Sequence, residues 1–498
     1  MIYLHPEAAL KAAYQQGEVV PVIGQLNNIA VSLSFVQTIA CQSQTVFLDS
    51  VQTQPQTGQF AVLGWNPWME ARCHEACLEY SFRGHAYQKT GDPLEALRAL
   101  YAQFTVRNWH AELPLISGAM GYLSYDFVRS FEKVPSRAKR DLDIPDLYFI
   151  FPRQLVCWDY LNRTAYIIYL IVPTIDGDWN VTFNQAIQAL TYTQEAIIFQ
   201  SPEATHSDFV VEKINEELSQ SYFEQMVDRV KDYIRSGDIY QANLSQRFSF
   251  HIKGSPFSVF QKLRKINPSP FSSFLQLGDL TVASCSPERL VSLCDRWCQT
   301  RPIAGTRPRG TGQKEDNQLR QDLIMSEKER AEHLMLVDLG RNDLGRVCEY
   351  DTVKVNEFMV LEMYSHVIHI VSNVCGELSQ SKDMFDLIRA VFPGGTITGC
   401  PKIRCMEIID ELEPVRRNLY TGSIGYLDFR GQMDLNIVIR SLVFQGNKGY
   451  LQVGAGIVAD SEPQKEYWET VQKGKALIQA LMASPVIADI SGENVNCG

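Results

Sequence analysis

Two pairs of glutamates are the first residues in this chain whose types and spacing suggest chemistry. Glu329 and Glu332 are three residues apart, and so are Glu466 and Glu469. On a helix this spacing places both side chains of a pair on one face. Carboxylate oxygens are the ligands that Mg²⁺ takes from proteins, while water and substrate oxygens fill its other positions. The four residues therefore predict a Mg²⁺ site if two helices face each other. If they do not, the residues are a helix cap and solvated surface glutamates.

A glycine-rich segment, residues 392–402, has the composition of a turn that opens a helix. A helix N-terminus with free N–H groups and a nearby hydroxyl, such as that of Thr396, favours an anion. Gly394 and Gly399 have the glycine spacing of a nucleotide P-loop, but Cys400 stands where the lysine must follow. The segment therefore disfavours an ATPase and leaves two alternatives, an anion site or an ordinary helix cap.

Gly454, Ala455 and Gly456 lie in an apolar segment, residues 453–458, that resembles a strand broken by glycines. Glycine within a strand marks either the close approach of a ligand or a bulge. Arg440 ends another apolar run, residues 437–439. An arginine at that position either binds a carboxylate through its two-pronged guanidinium group or reaches solvent.

Helices must position the glutamate pairs. Ser326 and Glu329 have the Ser-x-x-Glu form that typically starts a helix, so we expect a helix to begin there. A second helix should begin after Ser461, with Pro463 in its first turn. The first half of the chain differs, because residues 60–64 and 165–169 have the composition of short strands.

The whole chain has the composition of a globular protein. It has 498 residues, 45% hydrophobic and 21% charged, and a formal net charge of −11, which disfavours a general nucleic-acid binder. We find no apolar run long enough for a membrane span and no signal peptide, so we expect a cytoplasmic protein. Residues 201–220 are polar and predict a connection. The twelve cysteines are scattered, and neither Cys73 with Cys77 nor Cys294 with Cys298 has a second pair at zinc-ligand spacing.

Long motifs extend through the second half of the chain, and their order matches that of one protein family. They comprise residues 237–247, 286–289, 301–310, 329–346, 366–372, 394–413 and 454–473, with looser matches at residues 47–50, 118–122 and 143–147. These motifs resemble the chorismate-utilising enzymes, a family that includes anthranilate synthase component I, aminodeoxychorismate synthase component I and the isochorismate and salicylate synthases.

The resemblance implies a fold and a division of the chain. We expect an α+β fold with a two-layered β-sheet core and helices outside. Residues 1–200 should form a scaffold or regulatory region. Residues 215–485 should form the chorismate-binding catalytic region, interwoven with the first.

The resemblance also implies roles at matching positions. Glu332 and Glu469 look like direct Mg²⁺ ligands, with Glu329 and Glu466 holding metal-bound waters. Glu288 resembles the general acid for the leaving C4 hydroxyl. The other expected site residues contact substrate, with His369 over its ring: His369, Thr306, Gln241, Ala304, Thr396, Tyr420, Arg440, Gly454, Ala455, Gly456 and Lys473.

Two positions inform the reaction. Water-adding relatives carry a lysine base where this chain has Gln241, so the resemblance implies amination by ammonia. Ala304 stands where many aminodeoxychorismate synthases carry a lysine, which is the anthranilate synthase pattern, whereas residues 270–274, 393–402 and 422–427 resemble aminodeoxychorismate synthase. We expect 4-amino-4-deoxychorismate as the product, and anthranilate plus pyruvate is the alternative.

The source of ammonia is expected to be a second protein. We find no Gly-x-Cys-x-Gly nucleophile motif of a glutamine amidotransferase in the sequence. The resemblance therefore implies a separate glutamine amidotransferase subunit as partner.

Overall fold

The computed structural model describes residues 1–42, 44–51, 58–82, 84–199, 209–310, 312–363 and 367–482. The helices of these residues are α1 (Glu7–Gln15), α2 (Leu33–Gln42), α3 (Pro93–Tyr101), α4 (Trp179–Phe199), α5 (Gln220–Arg235), α6 (Pro256–Ile266), α7 (Gln313–Met325), α8 (Glu327–Gly345), α9 (Met384–Val391), α10 (Lys402–Leu412) and α11 (Pro463–Leu481), with 3₁₀ turns at Tyr125–Ser130 and Gly395–Ile397.

Strands form most of the first half and alternate with helices in the second. In the first half they are β1 (Ile2–Tyr3), β2 (Val20–Asn27), β3 (Thr45–Asp49), β4 (Phe60–His74), β5 (Cys77–Phe82), β6 (His85–Thr90), β7 (Ala119–Leu123), β8 (Leu147–Asp159) and β9 (Thr164–Ile171). In the second half they are β10 (Phe209–Val211), β11 (Asn215–Glu216), β12 (Gln241–Gly254), β13 (Phe271–Leu277), β14 (Leu280–Ser286), β15 (Arg289–Cys294), β16 (Trp297–Thr300), β17 (Ile303–Pro308), β18 (Lys354–Met363), β19 (Val367–Glu377), β20 (Gly399–Cys400), β21 (Ser423–Leu427), β22 (Met433–Asn436), β23 (Ser441–Gln445) and β24 (Lys448–Ile457).

The architecture is α+β, as predicted. Hydrogen-bonded strands of the described ranges run antiparallel, for example β4 with β8 and β12 with β24. Helices pack on these strands through apolar faces, as α11 does through Leu477 and Leu481. The residues 60–64 and 165–169, predicted as strands, lie within β4 and β9.

Strands from the two halves of the chain pair directly with one another. β3 pairs with β13, where Phe47 lies opposite Phe274, and β7 pairs with β21. The aromatic core crosses the same boundary, because the Phe151 and Phe429 rings stack with centroids 5.9 Å apart. The proposed division at residues 200–215 stays a prediction, but the strands of the two halves are interleaved. Residues 201–208 lie outside the described part of the chain, and β10 and β11 form where a polar connection was predicted.

The helices expected to carry the glutamate pairs begin close to their predicted positions. α8 follows Ser326, whose hydroxyl accepts from the Glu329 N–H at 3.4 Å. α11 begins at Pro463, in the predicted first turn. α10 begins at Lys402, directly after Pro401. None of the helices in the described ranges is long and apolar enough to cross a membrane.

The strand with two glycines is continuous, contrary to the expectation of a broken strand. β24 pairs with β12 without a register shift, with Gly456 opposite Asn243 and Gly454 opposite Ser245. Because the ladder is unbroken, the glycines do not mark a bulge. They leave space on one face of the sheet, where the candidate site lies.

Candidate active site

Glu288 is a buried carboxyl group at the turn between β14 and β15. It is 5% exposed, and the Ser286 hydroxyl accepts a hydrogen bond from its backbone N–H at 3.3 Å. Burial raises its pKa to about 7, although the nearby Thr396 hydroxyl, the Ile303 N–H and the charge of Arg440 lower it in part. Among the described residues, neither Glu288 Oε1 nor Thr396 Oγ1 has a well-formed hydrogen bond. Glu288 can therefore hold a proton near neutral pH and present it to a ligand.

His369 lies on β19 and is also buried, at 3% exposed. Its Nδ1 is 3.1 Å from the Gly305 carbonyl oxygen, which can only accept, so Nδ1 carries a proton. Burial, then the charge of Arg440, lower the pKa of the ring to about 4. At neutral pH the imidazole is therefore neutral, and its Nε2 is an acceptor.

β17 carries the next two predicted residues. Ala304 lies opposite Ile370 and is 8% exposed, and Thr306 lies opposite His369 with a register shift between the two pairs. Gly305 supplies the shift with a φ of +64°, a conformation that favours glycine. The Thr306 backbone thus reaches the site, but its side chain lies outside the described part of the structure.

The two glycines of β24 form the floor of an open space. A Cβ on Gly456 would lie 2.5 Å from Gln241 Nε2 and 3.8 Å from Glu332 Oε1. A Cβ on Gly454 would lie 2.7 Å from the Tyr420 hydroxyl oxygen. The structure therefore brings these predicted substrate-binding and metal-binding residues together around one small region of backbone, of which the buried Ala455 is the middle residue.

Gln241 connects this floor to the first glutamate pair. Its Nε2 donates to Glu332 Oε1 at 3.2 Å, which fixes which end of the amide faces the carboxylate. Its Oε1 is buried and has no hydrogen-bond partner among the described residues. The Cys405 thiol donates to its backbone oxygen at 3.0 Å and holds the start of β12 in place.

One glutamate of each pair has a raised pKa. Burial first, and then Glu329, raise the pKa of Glu332. Burial also raises the pKa of Glu466. The Ser461 hydroxyl lowers this pKa in part, and the charge of Glu469 raises it further.

Lys328 and Lys473 lower the pKa of both Glu332 and Glu466. One pair is on α8 and the other on α11, so the glutamate-bearing faces of these helices must be near each other. Lys473 also donates to the Gly454 oxygen at 3.1 Å, which places α11 against the floor of the site.

Arg440 lies in the turn between β22 and β23, beyond the strand end. It has a φ of +51°, and its Nη1 donates to Asn267 Oδ1 at 3.2 Å. Its charge lowers the pKa of both Glu288 and His369, so the guanidinium group belongs to the same site. This position is compatible with the predicted binding of a substrate carboxylate.

Comparison with known proteins places this geometry in a family. The sequence model of the chorismate binding enzymes matches residues 51–479. The chain belongs to the chorismate-binding enzymes.

Its relatives within this family carry two different names. Aminodeoxychorismate synthase component 1 of Bacillus subtilis is 40% identical over 86% of this chain and 90% of its own length. Anthranilate synthase component 1 of Acetivibrio thermocellus is 38% identical over 87% and 89%. The crystal structure of anthranilate synthase component I from Streptococcus pneumoniae superposes with a TM-score of 0.75 at 34% identity, over 86% of this chain and 93% of that one. The predicted family and fold are thereby confirmed.

The glutamates of this chorismate-binding enzyme have the donor chemistry of a Mg²⁺ site, but they are engaged elsewhere in this conformation. Glu329 pairs with Arg307 at 3.1 Å and Glu469 with Lys473 at 2.7 Å. Among the described residues, no group of three or more acidic, histidine or cysteine side chains is arranged to hold a metal ion. A cation between the helices would relieve the mutual repulsion within each pair, so Mg²⁺ remains a prediction that fits the donors.

A buried ion pair that supports the site was not anticipated from the sequence. Arg417 and Glu413 are 0% and 3% exposed at their side chains and approach to 2.7 Å. Arg417 also donates to the Asn243 oxygen at 2.6 Å and to the Ile397 oxygen at 2.9 Å, and Glu413 accepts from the Ser245 N–H at 2.8 Å. The pair therefore fastens the glycine-rich turn to β12. Its sequence signal is only an acid and an arginine four residues apart.

Proposed function

We propose that this chain is the chorismate-aminating subunit of a two-component synthase and makes 4-amino-4-deoxychorismate. The observation that carries the proposal is Gln241. At this buried position, an amide that donates to Glu332 cannot take a proton from water at neutral pH. Ammonia is nucleophilic without a base, so the site suits amination rather than hydration.

The reaction needs help for a poor leaving group. Chorismate plus ammonia gives aminodeoxychorismate plus water, so the C4 hydroxyl must leave with a proton. Glu288, with a pKa raised to about 7 by burial, is protonated often enough at neutral pH to give that proton. Mg²⁺ bound by the two glutamate pairs would supply positive charge to hold the ring carboxylate of chorismate.

Other side chains of the chain orient the substrate. The neutral His369 ring can lie over the substrate ring without adding charge. Arg440, Lys473 and Tyr420 supply donors to the enolpyruvyl carboxylate. Lys473 donates to the Gly454 oxygen, and the Tyr420 hydroxyl lies against Gly454. The charge of Arg440 acts on Glu288.

The ammonia would come from a glutamine amidotransferase subunit in the cytoplasm. The relatives are named as first components of synthases, which supports a second component. No Gly-x-Cys-x-Gly motif is present in this chain to supply ammonia itself.

One observation favours the alternative product, anthranilate. Ala304 is buried on β17 and offers no amine that could add to the substrate ring. We place aminodeoxychorismate first because residues 393–402 and 422–427 have the sequence of that branch. In the structure the Gly394 carbonyl accepts from the Thr398 hydroxyl at 2.9 Å, within the turn that also brings Thr396 to Glu288. We infer that this turn holds the ring so that nitrogen ends at C4 and pyruvate is retained.

The product decides between the two. Purified chain, chorismate, Mg²⁺ and an ammonium salt at alkaline pH should yield non-fluorescent aminodeoxychorismate, identified by mass. A separate lyase should convert it to p-aminobenzoate. Glutamine should not replace ammonium in the absence of a partner. Fluorescent anthranilate formed without any lyase would establish the alternative, and glutamine-dependent turnover would show that a glutaminase site is present in the chain.

The metal assignment has its own test. Glu332→Gln and Glu469→Gln each remove one anionic oxygen donor, so both should lower turnover at least about 100-fold without lowering the Tm. A chelator should abolish activity of the native chain, and added Mg²⁺ should restore it. Glu195→Gln, an exposed position on α4, is the matched control and should behave as the native chain. Normal turnover in either site variant would contradict the Mg²⁺ assignment.

A further inference from the structure

A pair of cysteines lies together outside the candidate active site. The Sγ atoms of Cys298 on β16 and Cys348, just after α8, are 3.2 Å apart, although the residues are 50 positions apart in the sequence. The sequence had grouped Cys298 with Cys294, but Cys294 is exposed at the end of β15. The contact between Cys298 and Cys348 is therefore made by the tertiary fold.

A glycine on β19 makes room for these two thiols. Gly376 lies opposite Cys298 in the β16–β19 ladder, and its carbonyl oxygen is 3.1 Å from the Cys298 Sγ. A Cβ on Gly376 would lie 2.8 Å from Cys348 Sγ and 3.2 Å from Cys348 Cβ. Any larger residue at 376 would therefore push Cys348 away from Cys298.

We propose that Cys298 and Cys348 are a reversible disulfide site that reacts with low-molecular-weight disulfides such as oxidised glutathione. The two sulfurs need to approach by only about 1.2 Å to reach disulfide bonding distance. Rotation of the two cysteine side chains would bring the sulfurs together, so the backbone of β16 and of the segment after α8 need not move. In a compartment that keeps thiols reduced, it forms only under oxidative load.

The two cysteines have different parts in the exchange. Cys348 is partly exposed, whereas Cys298 is fully buried. The hydrogen bond from Cys298 holds the pKa of the Cys348 thiol below its usual value. Cys348 is therefore the sulfur that a small disulfide reaches and that ionises first.

The exchange balances in two steps. The Cys348 thiolate attacks one sulfur of oxidised glutathione, forms a mixed disulfide and releases one glutathione thiolate. Cys298 then loses its proton and attacks the Cys348 sulfur, which releases the second glutathione. Two protein thiols are oxidised, one small disulfide is reduced to two thiols, and the two protons leave with the released glutathione.

The new bond would close a loop that carries part of the active site. Residues 298–348 include β17 with Ala304 and α8 with both Glu329 and Glu332. A cross-link of this span restricts the unfolded chain and so favours the folded state of the segment. Because the sulfurs already touch, the active-site side chains should keep their positions, and the disulfide should protect the enzyme rather than switch it off.

The test uses the full-length chain equilibrated with oxidised glutathione. Alkylation and peptide mapping should show a cross-link between the peptides that contain Cys298 and Cys348. The Tm should rise by a few degrees, initial chorismate turnover should be unchanged, and dithiothreitol should reverse the shift. Cys298→Ser should accumulate a glutathione adduct on Cys348, whereas Cys348→Ser should leave Cys298 unmodified.

Cys375→Ser is the matched control. Cys375 is adjacent to Gly376 on β19, so its side chain points to the face of that strand opposite the contact between Cys298 and Cys348. This variant should form the cross-link and show the same Tm shift as the native chain. The proposal is wrong if both thiols remain alkylatable after oxidation, if the cross-link joins Cys375 instead, or if the oxidised chain has an unchanged Tm. Peptide mapping of the native chain decides the matter even if a serine variant fails to fold.

Discussion

A carboxyl group donates a proton near neutral pH only where water cannot stabilise its ionised form. Glu288 has this environment, since it is 5% exposed and its pKa is raised to about 7 by burial. The same burial has a cost in stability, because the folded chain must hold an ionised carboxylate away from water once the pH exceeds that value. Activity and stability should therefore respond to this residue in opposite directions.

Glu288→Gln should be inactive but more stable than the native chain at pH 8. The pKa of Glu288 is raised from 4.5 to about 7 on folding, so its stabilising contribution is present below pH 4.5 and is lost as pH rises through 7. Glutamine does not ionise, so Glu288→Gln should gain about 1 to 3 kcal/mol at pH 8 and almost nothing at pH 4. Urea unfolding at both pH values measures this. Equal stability of the two chains at pH 8 would show that Glu288 is not a raised-pKa carboxyl.

The same residue predicts the pH dependence of the reaction. With free ammonia held constant, kcat/KM for chorismate should fall as pH rises through about 7, because Glu288 loses the proton that the leaving hydroxyl needs. His369 should not add a second transition in this range, since burial keeps the pKa of its ring near 4.

At the scale of elements, the site depends on how closely β24, β12 and α8 approach. The β24 glycines let Gln241 and Glu332 lie over the backbone, with Glu332 Oε1 3.8 Å from where a Cβ on Gly456 would be. The ion pair between Arg417 and Glu413 holds the backbone of β12 through hydrogen bonds to Asn243 and Ser245. Small changes in the space over β24 should therefore affect function before they affect folding.

Gly456→Ala tests this directly. The added methyl would lie 2.5 Å from Gln241 Nε2, which is the end of a flexible side chain, so Gln241 can move and the fold should be kept. The movement breaks its hydrogen bond to Glu332 and fills substrate space, so we expect turnover to fall by at least about 100-fold, as for other misplaced active-site groups. Steady-state kinetics and the Tm report the two effects separately.

Gly474→Ala on α11 is the matched control. Its added methyl meets nothing closer than 3.6 Å, and alanine is the better helix former. This variant should have native turnover and an equal or slightly higher Tm. Loss of activity in Gly474→Ala, or full activity in Gly456→Ala, would contradict the role of the β24 floor.

At the scale of the whole molecule, the two halves of the chain together line a cavity of about 500 Å³. Ser50 from the first half and residues 271–273 from the second half line it, and the Ser50 hydroxyl donates to the Pro270 oxygen at 3.0 Å. The pairing of β3 with β13 brings these two parts of the lining together. A ligand bound there would contact both halves at once.

Tryptophan should inhibit this chain weakly or not at all. The family resemblance implies Pro-Tyr-Met at the tryptophan feedback site of an anthranilate synthase, whereas this chain has Pro270, Phe271 and Ser272, although Ser50 matches the other half of that site. Titration of ammonium-dependent turnover with tryptophan measures the effect. An inhibition constant in the micromolar range would contradict the prediction and favour anthranilate synthase.

Much of the site was visible in the sequence because local patterns encode it. Ser326 begins α8 and Pro463 begins α11, as their capping chemistry predicts, and the order of the motifs identifies the family. Other features were not encoded locally. The sequence gives Glu329 the form of a capping box, but its carboxylate pairs with Arg307 on β17. A capping box needs only neighbouring residues, whereas an ion pair depends on which strand the helix packs against.

The sequence by itself determined the candidate site residues, the helices that carry the glutamates and the family to which the chain belongs. These depend on side-chain chemistry and on contacts within one turn of chain. Only the tertiary structure decided that burial raises the pKa of Glu288, that Arg417 fastens β12, and that the thiol of Cys298 meets Cys348 rather than Cys294. Each of these arises between residues distant in sequence, because solvent exclusion and contact distance are set by how strands and helices pack together.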